Sequence, residues 1–98
     1  MKVLFSASIG GRNQYESVYA AIVNDLKERG FKVQADHVLG VDAKKLAEVS
    51  DKYRIEYYKK LIKWISEADL VVAEVSHPSI SIGHELTIAL DKGKNVIA

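Results

Sequence analysis

The sequence predicts an α/β fold in which helices cover both faces of an open parallel sheet. Short apolar stretches alternate along the chain with longer stretches that have helical periodicity, the order expected of such a sheet. Residues 70–75 (LVVAEV) are nearly continuously apolar, which is typical of a strand buried on both faces. With 98 residues, 48% of them hydrophobic and 28% charged, the chain is expected to form one small domain over residues 1–98.

The first third of the chain predicts two strands and one helix. Residues 2–7 form a short apolar run, typical of a buried strand, and residues 8–13 form a polar, glycine-containing loop. Apolar residues at three- and four-residue spacing predict an amphipathic helix over residues 15–29, ending at Gly30. Apolar and polar residues alternate over residues 31–37, which predicts a second strand near a sheet edge.

The rest of the chain predicts three helices and two strands. The helices are expected at residues 42–49, 51–67 and 81–92, and the strands at residues 70–75 and 95–98. Asp42 is the candidate N-cap of the first of these helices and Ser50 or Asp51 that of the second, and Gly93 is the expected stop of the last helix. Because a strand of central type rarely completes such a fold, the chain is expected to be truncated or minimal at its C-terminal end.

Composition excludes several classes of function. The absence of cysteine rules out disulfides, thiolate zinc sites and a cysteine nucleophile, and the three histidines lack metal-ligand spacing. A net charge of +1 argues against a nucleic-acid polymer as partner. The apolar runs are far shorter than the ~20 residues of a membrane span, so no membrane association and a cytoplasmic location are expected.

The loop after the first strand is a candidate phosphate site, because ligands of open parallel sheets bind beyond the carboxyl ends of the strands. Gly10 and Gly11 could let the backbone approach a phosphate, with Ser8 and Arg12 as donors. The loop matches neither the dinucleotide-binding motif nor the P-loop motif. The alternative interpretation is a strand-to-helix turn that uses glycine for its conformation.

Hydroxyls and two carboxylates surround the start of the last helix. Ser76, Ser79 and Ser81 could cap this helix or bind an anion at its N-terminus. Glu85 lies in the first turns among apolar neighbours, so it is expected near the buried sheet edge, either in a capping box or in a functional role. Glu74 interrupts an apolar strand and is expected to pair with an arginine or lysine.

Residues 68–90, ADLVVAEVSHPSISIGHELTIAL, resemble the central motif of the nucleoside 2-deoxyribosyltransferase superfamily. The resemblance is closest to the 2′-deoxynucleoside 5′-phosphate N-hydrolase branch, which reads ADVVVAEV and then PSxGVG[YF]EL. Residues 4–12 (LFSASIGGR) resemble its opening YFCGSIRGG, and residues 36–38 (DHV) resemble its EHV. The resemblance covers most of the chain and implies a flavodoxin-like (Rossmann-like) fold and cleavage of the N-glycosidic bond of a nucleotide.

The resemblance also assigns roles to residues. Glu85 falls on the nucleophile, which attacks C1′ and forms a glycosyl ester that water, or a second base in the transferases, then resolves. Ser79 and Ser8 fall on contacts to the 5′-phosphate, which favours a nucleoside 5′-monophosphate over a nucleoside. The predicted substrate- and phosphate-binding set is Ser8, Ile9, Gly10, Gly11, Arg12, His37, Ser79, Ser81 and Gly83. This chemistry requires no metal and no organic cofactor.

Three departures from the family pattern leave alternatives open. The loop after the first strand is one residue shorter than in the family and its arginine is displaced, so Arg12 is one candidate to replace that arginine. Leu61 stands where the family has an aspartate that assists the leaving base, and Leu4 stands where an aromatic hydroxyl holds the nucleophile. Glu56, His37 and His84 are the nearest candidates to replace the aspartate. A nucleotide-binding or sensing module without efficient catalysis is therefore the alternative to an enzyme, and an interaction module without a ligand is a third.

A homodimer is the expected assembly. Trp64, Tyr57 and Tyr58 are expected on helical surfaces, where they leave apolar area for a partner. The family also continues beyond the length of this chain and takes a phosphate-binding serine from a neighbouring subunit. The expected partners are thus a small nucleotide and a second copy of the chain.

Overall fold

The computed structural model describes residues 1–39 and 51–98. In chain order these residues form β1 (Lys2–Ala7), α1 (Arg12–Glu28), β2 (Lys32–Gln34), α2 (Asp36–Leu39), α3 (Asp51–Glu67), β3 (Leu70–Glu74), α4 (Ile80–Asp91) and β4 (Asn95–Ile97). The helix predicted at residues 42–49 lies outside the described residues. None of the described helices is long and apolar enough to cross a membrane.

The strands form one parallel sheet with the order β2-β1-β3-β4, so the predicted open parallel sheet is confirmed. Val3 of β1 is in register with Val33 of β2 on one side and with Leu70 of β3 on the other. The connection after β1 runs to β2 on one side of the sheet, whereas the connection after β3 runs to β4 on the other side. This reversal makes the carboxyl edge between β1 and β3 the switch point where ligands of such sheets bind.

Helices cover both faces of the sheet, as predicted, because successive strand residues point to opposite sides. Leu4 belongs to a buried cluster with residues of α3 and α4, whereas Phe5 belongs to one with residues of α1 and α2. The Leu4 cluster consists of Leu4, Leu61, Ile65, Ala68, Val71 and Ala89. The Phe5 cluster consists of Phe5, Ala7, Tyr19, Val23, Ala35 and Val38.

The second strand is shorter than predicted. It ends at Gln34, and the chain turns into α2, where the backbone N–H of Leu39 donates to the carbonyl of Ala35 at 2.9 Å. The turn carries Val38 into the Phe5 cluster with no exposed surface. The strand predicted over residues 31–37 was therefore wrong at its C-terminal end, because burial of Val38 favours a helical turn there. His37 accordingly lies in α2, and its side chain is outside the described residues.

The helix boundaries follow the glycines, with one correction. Gly30 and Gly93 have φ of +91° and +73°, the left-handed conformation that favours glycine after a helix, and they follow α1 and α4 as predicted. Helix α1 begins earlier than expected, at Arg12, because the backbone N–H of Tyr15 already donates to the carbonyl of Gly11 at 2.9 Å. Arg12 is thus the first helical residue and not part of an open loop.

Candidate active site

A cavity of about 410 Å³ opens at the switch point of the sheet. It is bounded by the end of β1 and its following loop, by the start of α4, and by one side of α3. Its lining residues are Ala7, Ser8, Ile9, Gly10, Tyr57, Tyr58, Leu61, Ser79, Ser81, Ile82, His84 and Glu85. The volume lies in the range of small-molecule sites.

Glu85 places a carboxylate in this cavity. Its residue surface is only 7% exposed, and its Oε2 accepts a 2.5 Å hydrogen bond from the hydroxyl of Ser6 on β1. Burial raises the pKa of Glu85 above its ordinary value, and the Ser6 hydrogen bond opposes part of that rise. The capping-box interpretation was wrong, because the partner of Glu85 is on the sheet and not at the helix N-terminus.

The predicted N-cap of α4 is confirmed at Ser79. Its hydroxyl accepts a hydrogen bond from the backbone N–H of Ile82 at 3.3 Å, and its backbone is extended. Ser79 and Ser81 both line the cavity beside this helix N-terminus. Gly83 is exposed within the helix and is not among the lining residues, so the structure does not bring it to the cavity.

The loop after β1 forms another wall of the cavity. Ser8 is buried, and Ile9 and Gly10 line the cavity beside it. The hydroxyl of Ser8 shares a 3.1 Å hydrogen bond with Nδ1 of His77, and its carbonyl accepts one from the buried Tyr19 hydroxyl at 3.1 Å. Two side chains from other elements therefore fix the position of Ser8.

Gly11 is required in this loop for close packing. Its φ of −86° is ordinary, so the expectation that glycine serves the conformation of the turn was wrong at this position. A Cβ atom there would lie 2.5 Å from Cβ of His77 and 2.8 Å from the hydroxyl oxygen of Tyr19. Any side chain at Gly11 would force the loop and His77 apart. Gly11 itself does not line the cavity.

Arg12 is not among the cavity-lining residues. One terminal nitrogen of its guanidinium lies 3.4 Å from Glu16, one turn further along α1. Its Nε atom is buried and has no hydrogen-bond partner within the described part of the chain. The predicted phosphate contact of Arg12 thus remains a prediction that this arrangement does not by itself support.

Glu74 does not make the expected ion pair in residues 1–39 and 51–98. Its Oε1 accepts hydrogen bonds from the backbone N–H of Ser76 at 2.9 Å and from the Ser76 hydroxyl at 2.5 Å. Its Oε2 is buried without a partner among the described residues. The carboxylate thus shapes the turn after β3.

The pKa of Tyr19 is raised above its ordinary value. Burial is the larger cause of this rise, and the nearby Glu74 carboxylate is the second.

The wall of the cavity that α3 and His84 form is largely aromatic and apolar. The rings of Tyr58 and His84 are stacked at 5.8 Å and 20°, and the Tyr58 hydroxyl shares a 3.0 Å hydrogen bond with Nε2 of His84. Tyr57 meets Trp64 edge to face at 6.2 Å. Leu61 belongs to the buried Leu4 cluster and also lines the cavity. It therefore both packs in the core and forms part of the cavity wall.

The predicted set of site residues did not include Ser6, His77 or Tyr58. The strand period held a signal for Ser6, since residues two apart on a strand share a face and Ser6 is two residues after Leu4. The position of His77 in the loop after β3 also held a signal, because ligands bind beyond the carboxyl ends of the strands. For Tyr58 no local signal existed, because its partner His84 is 26 residues away in the sequence.

A parallel sheet of order β2-β1-β3-β4 with a ligand-sized cavity at its switch point defines a flavodoxin-like fold. A solved structure agrees: the CMP N-glycosidase BcmB of Clostridium botulinum matches with a TM-score of 0.70 at 21% identity, over 98% of this chain and 66% of that one. At this identity the likeness shows the fold alone. No protein-family model matches the sequence.

Relatives in sequence identify the family. The chain is 36% identical, over its full length and 67% of the relative, to a protein of Syntrophotalea carbinolica with the provisional name 2′-deoxynucleoside 5′-phosphate N-hydrolase 1. It is 37% identical to the protein of that provisional name in Nematostella vectensis, over 98% of this chain. It is 35% identical to the 5-hydroxymethyl-dUMP N-hydrolase of Rattus norvegicus, over 97% of this chain.

The chain belongs to the 2′-deoxynucleoside 5′-phosphate N-hydrolase family. Its family resemblance is therefore confirmed. The chain spans 65% of the Nematostella relative and 58% of the rat relative.

Proposed function

We propose that this protein hydrolyses the N-glycosidic bond of nucleoside 5′-monophosphates, with 2′-deoxynucleotides as the first class to test. The observation that carries the proposal is the buried Glu85 carboxylate inside a cavity that is also lined by serines at the N-terminus of the same helix. This arrangement can hold a phosphate at one end and attack a sugar carbon near the middle. The names of the family's relatives agree with that reaction.

The phosphate end is formed by Ser8, Gly10, Ser79 and Ser81. The first turn of α4 leaves backbone N–H groups without helical partners, and helix N-termini favour anions. Ser8 is held in place by His77 and Tyr19, so its hydroxyl is oriented before a ligand arrives. These hydroxyls and amides suit a monophosphate, which accepts several hydrogen bonds at once.

The chemical step takes place at Glu85. Its carboxylate oxygen forms a bond to C1′ while the C1′–N bond breaks and the electron pair leaves with the base. Water then attacks C1′ of the glycosyl ester, which releases the sugar phosphate and restores the carboxylate. Ser6 occupies Oε2 of Glu85, which leaves Oε1 as the oxygen for attack.

The test is base release from a panel of deoxyribo- and ribonucleoside 5′-monophosphates, 5-hydroxymethyl-dUMP included, by the wild type and by Glu85→Gln. The variant keeps the shape of the side chain and loses the anion, so base release is expected to fall ~10³-fold or more with binding nearly unchanged. Acid quenching should trap a sugar-phosphate adduct on the peptide that contains Glu85. Glu56→Gln, an exposed carboxylate outside the cavity, is the matched control.

A nucleotide-binding module with weak catalysis is the second candidate. One observation favours it: Leu61 presents no proton donor on the wall of the cavity. The same panel separates the two functions, since tight nucleotide binding without base release by the wild type would select the module. Full turnover by Glu85→Gln would remove Glu85 as nucleophile.

The proposal includes a homodimer. Several apolar side chains are exposed in the described chain, with Ile80 at 95% beside the cavity and Leu90 at 62% further along α4. A second subunit would cover part of this surface. Light scattering at the concentrations used for activity tests this, and a monomeric mass for the active species would contradict it.

A further inference from the structure

We propose that His84, held by Tyr58, is the catalytic acid that protonates the departing base. The inference rests on the proposed function, because it supplies a proton to the base that Glu85 displaces. It assigns a second catalytic residue on the wall of the cavity that α3 and His84 form.

The need for a donor comes from the chemistry. When the C1′–N bond breaks, its electron pair remains on the base, which leaves as an anion unless a proton reaches it. Leu61, on the same wall, has no proton to give. Among the described cavity-lining residues, the remaining groups with exchangeable protons are serines, tyrosines, Glu85 and His84. Glu85 must be ionised to attack, and imidazole is the side chain that ordinarily exchanges its proton between about pH 5 and 8.

The geometry favours His84 over the other candidates that the sequence offers. His84 lies directly before Glu85 on α4, and both line the cavity. Glu56 is exposed on α3 and does not line it, and the side chain of His37 is outside the described residues. His84 is the candidate that the described structure places beside the nucleophile.

Tyr58 positions the imidazole. Its ring stacks on the ring of His84 at 5.8 Å and 20°, and its hydroxyl shares the 3.0 Å hydrogen bond with Nε2. Stacking and hydrogen bond together restrict rotation of an otherwise exposed side chain. Because the hydrogen bond uses Nε2, Nδ1 is the ring nitrogen left for the base.

The protons balance over the two steps. In the first, the Glu85 carboxylate bonds to C1′, the C1′–N electron pair passes to the base, and the His84 imidazolium gives that base a proton and becomes neutral. In the second, water adds its oxygen to C1′, its proton returns to His84, and the Glu85 carboxylate is released. The net reaction is nucleotide plus water to base plus sugar phosphate.

The experiment measures single-turnover base release from three probes: dUMP, 5-hydroxymethyl-dUMP and 5-fluoro-dUMP. Fluorine makes the uracil anion a better leaving group, so 5-fluoro-dUMP depends least on a proton donor. His84→Gln is expected to slow dUMP by ~10²–10⁴-fold and 5-fluoro-dUMP by distinctly less. Tyr58→Phe keeps the stack and loses the hydroxyl, so it should give a smaller loss with the same order of substrates. Glu56→Gln should leave the order and the rates unchanged.

Equal losses on all three probes in His84→Gln would overturn the assignment, because a structural or binding role does not depend on the leaving group. That result leaves the proposed function standing as long as the wild type releases base and Glu85→Gln does not. A wild type that releases no base from the three probes or from the nucleotide panel would instead remove the proposed function and this inference with it.

Discussion

The hydroxyl of Ser6 donates a 2.5 Å hydrogen bond to Oε2 of Glu85, so the central strand of the sheet directly orients the buried carboxylate of α4. Ser6 is completely buried and lies on the same face of β1 as Leu4. Where the family pattern places an aromatic hydroxyl at Leu4, this chain has a hydroxyl two residues further along the strand. We infer that Ser6 takes over the positioning of the carboxylate.

Ser6→Ala is expected to shift the acidic limb of the pH profile of kcat to higher pH. The maximal kcat should also decrease. The reason is that the Ser6 hydrogen bond lowers the pKa of Glu85 against the rise caused by burial, so its loss lets the pKa rise further. Base release measured from pH 4 to 9 checks this. Ser66→Ala, an exposed serine whose hydroxyl caps only a carbonyl of its own helix, is the matched control. An unmoved limb would show that Ser6 only fills space.

Glu85→Gln is expected to stabilise the fold at neutral pH. The pKa of Glu85 is raised on folding, so its contribution to stability is fully present below the ordinary value of 4.5 and is lost as pH rises through the folded pKa. Glutamine has no proton to lose and gains no buried charge as pH rises, so the difference in Tm between variant and wild type should grow from pH 4 to pH 8. A difference independent of pH would contradict the raised pKa.

The fold could be predicted because its signals are local. The apolar run at residues 70–73 requires cover on both faces, and the glycines after α1 and α4 mark helix ends through backbone conformation alone. The prediction failed at His37, where the alternating pattern continues into a helical turn. There a tertiary contact, the burial of Val38 under the sheet, outweighs strand propensity.

The candidate site could be predicted only in part, for the same reason. Glu85 and Ser79 belong to one contiguous motif, residues 68–90, which can be recognised in the sequence directly. Ser6 and His77 act through partners 79 and 69 residues away, and such pairings depend on the register of β1 against β3. Glu74 shows the opposite error, since local hydrogen bonds from Ser76 replace the ion pair with an arginine or lysine that the sequence predicts.

Ser79→Ala is expected to weaken monophosphates far more than nucleosides. A hydrogen bond to a charged group is worth about 1.5–3 kcal/mol, or roughly 10- to 150-fold in affinity. The variant also loses the cap on Ile82, at a cost of about 0.5–2 kcal/mol of stability. Binding of dUMP and deoxyuridine by calorimetry separates the two effects.

Ser79→Asp is the control for that variant. Aspartate caps a helix as well as serine, so stability should be kept, while its negative charge repels the phosphate. Ser79→Asp should therefore bind dUMP weakly although it is folded as tightly as the wild type. Unchanged dUMP affinity in both variants would leave Ser79 with its capping role only.

Gly11→Ala is expected to destabilise the protein by about 1–3 kcal/mol, because the added methyl group meets His77 at 2.5 Å and Tyr19 at 2.8 Å. Urea unfolding measures the loss. Gly83→Ala is the matched control: nothing lies within 4 Å of its added methyl group, and alanine favours a helix by about 0.5–1 kcal/mol over glycine. Equal effects of the two variants would contradict the close packing of the loop.

Leu61→Asp is expected to be tolerated better than Ile65→Asp, although both residues are buried on α3 in the Leu4 cluster. Leu61 lines the cavity and Ile65 does not, so only the carboxylate at Leu61 can reach water. An unpaired buried carboxylate costs about 3–5 kcal/mol, which is enough to unfold a domain of marginal stability.

In the His84→Gln background, the carboxyl group of Leu61→Asp is expected to restore base release from dUMP by giving the wall a proton donor again. It should also move the acidic limb to higher pH, because a second carboxylate in the cavity raises the pKa of Glu85. Urea unfolding and single-turnover base release are the two measurements. Equal destabilisation at Leu61 and Ile65 would place Leu61 in the core alone, and a stable double variant without restored base release would show that this wall does not face the departing base.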